Sequence, residues 1–318
     1  MITHLTTYLL SFLGIWIGTG MAISSVERLS HRLKISSFAA SFVILGLFTS
    51  ISEFSVGINA VIDNDPEIFV GNLIGASIVI FMLLIPILAI TGRSIKISRE
   101  FQGFNLPMSL IVIAAPVIFS IDGTITRTEG LITVLLFGFL VVCVQFKRGL
   151  LGCLRDLSPR QSVRVGEELL KIIFGIGVIF IASKFVVEQT LYFSQELHIS
   201  PFLISLLLIG IGTNIPELAL AVRSIFMRSN QVVFGDYVGS ASFNSFIFGC
   251  LTIAYGSPII LNNNYVISLL FLIGGLLGFY LFARTKNSIS RLEGFALLVL
   301  YIAFLFIELY VHKIVVPI

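Results

Sequence analysis

Charge is scarce in this chain. Only 12% of its 318 residues are Asp, Glu, Lys or Arg, about half the share usual in a soluble domain. Three cysteines, Cys143, Cys153 and Cys250, are scattered with no CxxC or paired spacing, which leaves no basis for a disulfide framework or a thiolate metal cluster. The four histidines (His4, His31, His198, His312) fall at span ends or in loops, which argues against a histidine metal site. No HExxH, phosphate loop or Ser/His/Asp constellation occurs, so enzyme chemistry has nothing to rest on. The long apolar runs lack period-2 alternation, and that excludes an outer-membrane barrel. No Lys or Arg precedes the first apolar stretch, which therefore reads as a retained span rather than a cleaved signal peptide.

What the chain has in abundance is apolar surface: 57% hydrophobic residues, 29 of the 318 being Phe, and a mean hydropathy of +1.04. Its apolar runs repeatedly reach the ~20 residues that cross a bilayer as a helix. Ten candidate spans lie near 5–26, 35–62, 68–91, 105–121, 129–146, 166–190, 200–227, 231–256, 259–283 and 291–312. Basic residues collect in alternate loops: Arg28, Arg32 and Lys34; Arg93, Lys96 and Arg99; Lys147, Arg148, Arg155, Arg160 and Arg164; Arg223 and Arg228; Arg284, Lys286 and Arg291. The opposite loops hold Asp63, Asp65, Glu67, Asp122, Glu129, Glu188 and Glu196. The positive-inside rule then puts both termini outside and the 147–165 loop in the cytosol.

Polar residues inside such spans are costly and need a reason. GLFTSISEFSVG (46–57) and GIGTNIPELALA (210–221) both carry them, and they align: Thr49 with Thr213, Ile51 with Ile215, Glu53 with Glu217. Further on, VGNLIGAS (70–77) aligns with FGDYVGSA (234–241), Gly71 with Gly235 and Gly75 with Gly239. Every pair has the same offset of 164, obtained as 213 − 49 or 239 − 75. An ungapped match over this length reads as an internal duplication. The expected organisation is a first five-span repeat over 1–147 with its motif at 46–80, a cytosolic linker over 148–165, and a second repeat over 166–318 with its motif at 210–244. Five spans per half invert the second half, giving an all-α membrane protein of ten helices in two inverted repeats. Inverted repeats with Gly/Pro-interrupted segments at matching places mark secondary transporters, with the site at the repeat interface.

Gly210, Gly212 and Pro216 are expected to loosen the seventh span before Glu217 and free backbone carbonyls. Those carbonyls, the Thr213 hydroxyl, the Asn214 amide and the carboxylate are oxygen donors of the kind hard cations prefer. Glu53 and Glu217 would meet near the centre, where two carboxylates call for a divalent cation, two Na⁺ or protons. Ser240 and Asn244, four residues apart, share one helix face, whereas their first-half counterparts are Ala76 and Ile80. Taken singly, Thr49, Thr213 and Asn244 also read as ordinary helix-bonding or interhelical groups. Asp236 reads as a helix-start residue, and the Gly274–Gly278 spacing reads as internal helix packing.

The segments GTNIPE (212–217) with GDYVGSASFN (235–244), and FTSISE (48–53) with GNLIGASIVI (71–80), resemble the two alpha repeats of the cation/calcium antiporter superfamily, which includes the sodium/calcium exchangers. The resemblance implies Glu53 and Glu217 as central cation ligands. It implies further oxygens from Thr49, Thr213, Ser50 and Asn214, with Ser240 and Asn244 completing the site. It implies alternating access, with spans 1 and 6 sliding to exchange Ca²⁺, or a related divalent ion, for Na⁺. No cofactor, nucleic acid or obligate protein partner is expected; Ca²⁺ and Na⁺ or H⁺ are cargo, membrane lipids are the surroundings, and a prokaryotic inner membrane is the expected location. Two alternatives stay open: an H⁺-coupled divalent exchanger, and a diverged, non-transporting membrane protein that keeps the fold. The chain departs from the family pattern at Phe48, Ser52, Ala76, Ile80 and Asp236. An Ile80→Asn change is therefore expected to alter the monovalent-ion dependence of transport; unchanged Na⁺ dependence with expression intact counts against that placement.

Overall fold

The computed structural model of the protein describes residues 2–32, 46–92, 95–97, 103–146, 165–215, 217–218, 230–261 and 266–315. In hydrocarbon every backbone amide and carbonyl must be satisfied within the chain, and helices do this segment by segment. The helices are α1 (Ile2–Arg32), α2 (Gly46–Thr49), α3 (Ile51–Ile62), α4 (Pro66–Thr91), α5 (Asn105–Phe119), α6 (Arg127–Phe146), α7 (Val165–Leu197), α8 (Pro201–Thr213), α9 (Asn230–Tyr255), α10 (Val266–Lys286) and α11 (Arg291–Val315). Each of the ten candidate spans contains helix. Among the described residues, six helical stretches are long and apolar enough to cross a membrane, with shorter apolar helices at α3, α5 and α8. The chain is an integral membrane protein.

Burial separates a centre from a ring. The apolar windows of α4 and α9 are 83% and 78% buried inside the protein, against 28% for those of α1, α7 and α11. Helix α4 is apolar on every side, the pattern of a helix enclosed by others. Its approach to α8 is close: a Cβ on Gly71 would run into the Phe202 carbonyl oxygen, and one on Gly75 into the Leu206 carbonyl oxygen. A Cβ on Gly210 would in turn lie 2.8 Å from the Gly75 carbonyl carbon. Small residues let backbones touch where hydrophobic exclusion gives no drive between helices. The glycine at 210 thus serves close packing, and its N–H also closes a π-type bond to Ser205 O where the span departs from regular α-helix.

Helices α1 and α7 lie side by side. Gly18 abuts the Gly175 carbonyl, Tyr8 Oη lies 3.1 Å from Thr190 Oγ1, and His4 stacks on Tyr192 while its Nδ1 lies 2.8 Å from Gln189 Oε1. Helix α7 is tied to α3 by Asn59, whose amide donates to Ser183 Oγ at 2.9 Å and to Phe180 O at 3.3 Å.

The offset of 164 also relates elements that carry no shared motif. Strand β1 (Ile95–Lys96) pairs with β4 (Ser288–Ile289), and β2 (Thr124–Ile125) pairs with β3 (Ile259–Ile260), all antiparallel. Adding 164 to β1 gives β3, and adding it to β2 gives β4, so one small sheet maps onto the other with its register: Ile95 opposite Ile289 becomes Ile259 opposite Ile125. Helix α4 begins at Pro66 and its counterpart position, Asn230, is helical in α9; α6 and α11 begin at Arg127 and Arg291. The latter two starts carry the same capping box: Thr126 with Glu129 and Ser290 with Glu293, each carboxylate accepting from the cap's backbone N–H and hydroxyl. Residues Gly123 and Asn287, again 164 apart, both take positive φ (80° and 49°).

Three expectations are corrected. The ninth span does not begin at 259, because 259–260 is spent on the strand that pairs with β2; its described helix is Val266–Lys286. Asp236 lies well inside α9, which starts at Asn230, so it does not cap that helix. Of the glycines at 274–278, Gly275 makes the tight contact, against Met82 of α4, while a Cβ on Gly274 would meet nothing within 4 Å. The 147–164 loop lies outside the described residues.

The backbone crossing at Gly75 sets a test of the packing. Gly75→Ala should lower stability by about 1–3 kcal/mol, the usual cost of overpacking, whereas Gly177→Ala, with nothing within 4 Å of the added methyl, should leave thermal unfolding in detergent unchanged. Equal effects of the two would contradict the crossing.

Candidate functional site

Both motif helices break at the same place. Helix α2 ends at Thr49 and the 210–213 turn of α8 ends at Thr213; the next residues, Ser50 (φ −78°, ψ 5°) and Asn214 (φ −88°, ψ 8°), leave helical geometry alike. A π-helical turn at Ser205–Ile209 precedes the second break, and another at Ile80–Leu84 lies in α4; such turns recur at functional sites. The breaks put Glu53 and Glu217 directly after non-helical backbone in the protein interior. Both carboxylates are fully buried, as are Thr49, Ser50 and Thr213, with Asn214 at 1% exposure.

From the opposing central helix, α9 presents Tyr237, Ser240 and Asn244, spaced three and four residues apart on one face. Ser240 Oγ lies 3.2 Å from Ser50 Oγ, and the Tyr237 hydroxyl donates to the Glu217 carbonyl at 3.1 Å. The Ser52 hydroxyl donates to Glu53 Oε2 at 2.8 Å and lies 3.5 Å from Thr213 O, which joins the first motif to the second. Thr213 Oγ1 lies 3.0 Å from Ile209 O and 3.3 Å from Asn72 Oδ1 on α4. Asn214 bonds back to Gly210 O at 2.7 Å. Side-chain contacts therefore connect Ser50 with Ser240, and Glu53 through Ser52 with Thr213; Glu217 joins α9 through its carbonyl.

The site leaves polar atoms over. Glu53 Oε1, Asn214 Oδ1, both amide atoms of Asn244 and Asn72 Nδ2 are buried with no hydrogen-bond partner among the described residues. Native proteins leave few such atoms, and each calls for a reason such as an ion. Three of them are oxygens, one of them on Glu53 itself, and burial of the two carboxylates as bare charges would be prohibitive. Among the described residues no group of three or more His, Cys, Asp or Glu could hold a metal. The donor set is thus two carboxylates with neutral hydroxyl, amide and carbonyl oxygens, which suits a hard cation held reversibly rather than a resident soft metal.

Sequence reasoning did not single out Asn72 or Tyr237. The signal for Asn72 was its place beside Gly71 inside the repeated segment; Tyr237 had none, since its counterpart at the same offset is Leu73. By the 164 offset the polar stripe on α9 corresponds to Leu73, Ala76 and Ile80 on α4, all apolar and buried.

The profile of the family described as sodium/calcium exchanger protein matches residues 3–146 and 168–310. An uncharacterised membrane protein of Methanocaldococcus jannaschii, MJ0091, is 25% identical over 295 residues, covering 93% of this chain and 94% of its own length. The sodium/calcium exchanger MaX1 of Methanosarcina acetivorans is 21% identical over 92% of this chain and 95% of its own. Among solved structures, the sodium–calcium exchanger NCX_Mj soaked with Na⁺ and Sr²⁺ superposes with a TM-score of 0.67 at 22% identity, covering 95% of this chain and 97% of that one. That likeness concerns the fold.

The Ser52–Glu53 bond allows a direct measurement. Ser52→Ala removes a hydrogen bond to a charged or chargeable group, worth about 1.5–3 kcal/mol, and should lower the unfolding temperature of the cation-free protein. An unchanged temperature would mean the hydroxyl does not hold the carboxyl.

Proposed function

This chain belongs to the sodium/calcium exchanger family, and we propose that it is a secondary active antiporter that carries Ca²⁺, or a related divalent cation, in exchange for Na⁺ by alternating access. Membership makes it a membrane cation exchanger, a transporter by family. The observation that carries the specific reading is the pair of fully buried carboxylates, Glu53 and Glu217, set after matched helix breaks and surrounded by oxygens with spare acceptor capacity. Two carboxylates balance one divalent ion or two monovalent ones, so exchange of the two kinds keeps the interior neutral at every stage. The bound ions are cargo, and the reading requires no cofactor or protein partner.

Ten spans in two inverted halves form the proposed scaffold. The shared offset of 164 in strands, helix starts, capping boxes and breaks supports it. The proposed halves are 1–147 and 166–318, joined by a cytosolic linker over 148–165, with both termini outside and the inner membrane of a prokaryote as the setting. Helices α1 and α7, packed on each other through Gly18 and Gly175 and only partly enclosed, suit the moving pair. Sliding them would break the Asn59–Ser183 contact that ties α7 to α3.

A second reading has its own observation. Leu73, Ala76 and Ile80 give the α4 side of the site fewer oxygens than α9 supplies, which thins the surroundings a Na⁺ would need and suits a proton, held by one oxygen alone. Uptake of ⁴⁵Ca²⁺ into proteoliposomes under an outward Na⁺ gradient and, separately, an outward H⁺ gradient separates the two. Na⁺-driven uptake abolished by Glu217→Gln is the expected result. Uptake driven by H⁺ alone would move the coupling ion to the proton, and no uptake of Ca²⁺ or other divalent ions by folded protein would overturn the antiporter reading.

A further inference from the structure

Asn72 occupies a position that the reading above leaves without a role. It is fully buried on α4, and it touches Thr213 at the helix break of α8. As placed, its Oδ1 lies 3.3 Å from Thr213 Oγ1 and its Nδ2 has no hydrogen-bond partner among the described residues. A threonine hydroxyl has one proton and two lone pairs. The shorter contact, 3.0 Å to Ile209 O four residues back, is the usual bond of a helical threonine to its own backbone and takes that proton. Nothing is then left to donate to Asn72 Oδ1. An amide turned end for end fills the same envelope. In that orientation Nδ2 donates to a free lone pair of Thr213, and the atom without a protein partner becomes an oxygen.

We propose that Asn72 is a cation ligand of this site, presenting its side-chain oxygen to the ion while its amide nitrogen is held by Thr213. The proposal rests on the cation-exchange reading of the same site and adds a residue to it. Two observations favour the oxygen over the nitrogen as the outward atom. Thr213 O lies 3.5 Å from the Ser52 hydroxyl, which bonds Glu53 Oε2, so Asn72 belongs to one connected group with that carboxylate. Facing a carboxylate-bound cation, an amide oxygen is attracted and an amide N–H₂ repelled. The placement also answers the asymmetry between the halves. Asn72 and Ala76 are one helical turn apart on the same face of α4, so an oxygen absent at Ala76 and Ile80 is supplied one turn earlier in the chain. Its counterpart by the 164 offset is Asp236, and α9 has Ser240 and Asn244 besides.

The test uses the full-length purified protein in detergent and reads Ca²⁺ binding through the rise of unfolding temperature with added CaCl₂, independently of transport. Three proteins are compared: wild type, Asn72→Asp, which keeps an oxygen and removes the N–H₂, and Asn72→Leu, which removes both polar atoms at similar size. The expected result is a Ca²⁺ midpoint about tenfold or more higher for Asn72→Leu, as loss of metal-site groups commonly costs, with Asn72→Asp within about threefold of wild type or tighter. Adding Ile80→Asn to Asn72→Leu should recover part of the loss by restoring an oxygen on the same helix. An Asn72→Leu midpoint equal to wild type overturns the proposal. Equal loss in Asn72→Leu and Asn72→Asp also overturns it, because the amide N–H₂ would then be the group that matters. Should Asn72→Leu fail to fold, Asn72→Ala takes its place in the comparison. A wild-type protein whose unfolding ignores Ca²⁺, Sr²⁺ and Na⁺ would bring down the cation-site reading itself, a result distinct from either of the others.

Discussion

Everything in this protein is arranged around two carboxyl groups placed where water cannot reach them. An ionised carboxylate moved from water into a low-dielectric interior costs several kcal/mol even after the surroundings relax, and Glu53 and Glu217 both have zero exposure. A cation or a proton offsets that cost: Ser52 holds one oxygen of Glu53, while the other, like the side-chain oxygens of Asn214 and Asn244, has no hydrogen-bond partner among the described residues. An exchanger needs this arrangement, because a site already satisfied by its own protein would have no use for an ion.

The surrounding helices follow from bringing backbone close to those carboxyls. Glycines at 71, 75 and 210 remove the side chains that would hold α4 and α8 apart, and the resulting contact sets Asn72 beside Thr213. Helices α4 and α9 lie at the centre and are mostly buried; α1 and α7 are mostly exposed. Enclosed helices at the centre and less enclosed ones around them suit the alternating access proposed for this exchanger. The two small sheets tie residues 95–96 to 288–289 and 124–125 to 259–260, while the twin capping boxes fix the starts of α6 and α11 locally.

The halves are alike in backbone and unlike in chemistry. Strand register, helix starts and helix breaks repeat at one offset, but Tyr237, Ser240 and Asn244 on α9 correspond to Leu73, Ala76 and Ile80 on α4. Such divergence is tolerated because fold depends on apolar burial and close packing, which Leu, Ala and Ile satisfy as well. Ion binding depends on the count and direction of oxygens, and there the substitutions matter. The same logic separates Ser52 from its sequence counterpart Pro216: the serine adds a hydroxyl donor for the adjacent carboxylate, and a proline side chain has none to add.

Much was determined by the amino-acid sequence alone. Low charge and long apolar runs specify membrane helices, since hydrophobicity per residue decides partitioning before any packing occurs. The duplicated segments locate the motif helices and both carboxylates, because a repeat is a pattern in order along the chain and needs no third dimension. The helix starts at Arg127 and Arg291 lie within two residues of the span bounds that the apolar runs set, 129 and 291. The tertiary structure decided what depends on which surfaces meet. Residues 259–260 had the apolar character of a helix start and became a strand, since β2 lies there to pair with them. Gly210 had the character of a helix loosener and became a contact with Gly75. Asn72 and Tyr237 entered the site through Thr213 and the Glu217 carbonyl, partners that lie 141 and 20 residues away in sequence. Local sequence carries propensity and pattern; a hydrogen bond between distant helices depends on their crossing, and that is set only when the glycines let them close.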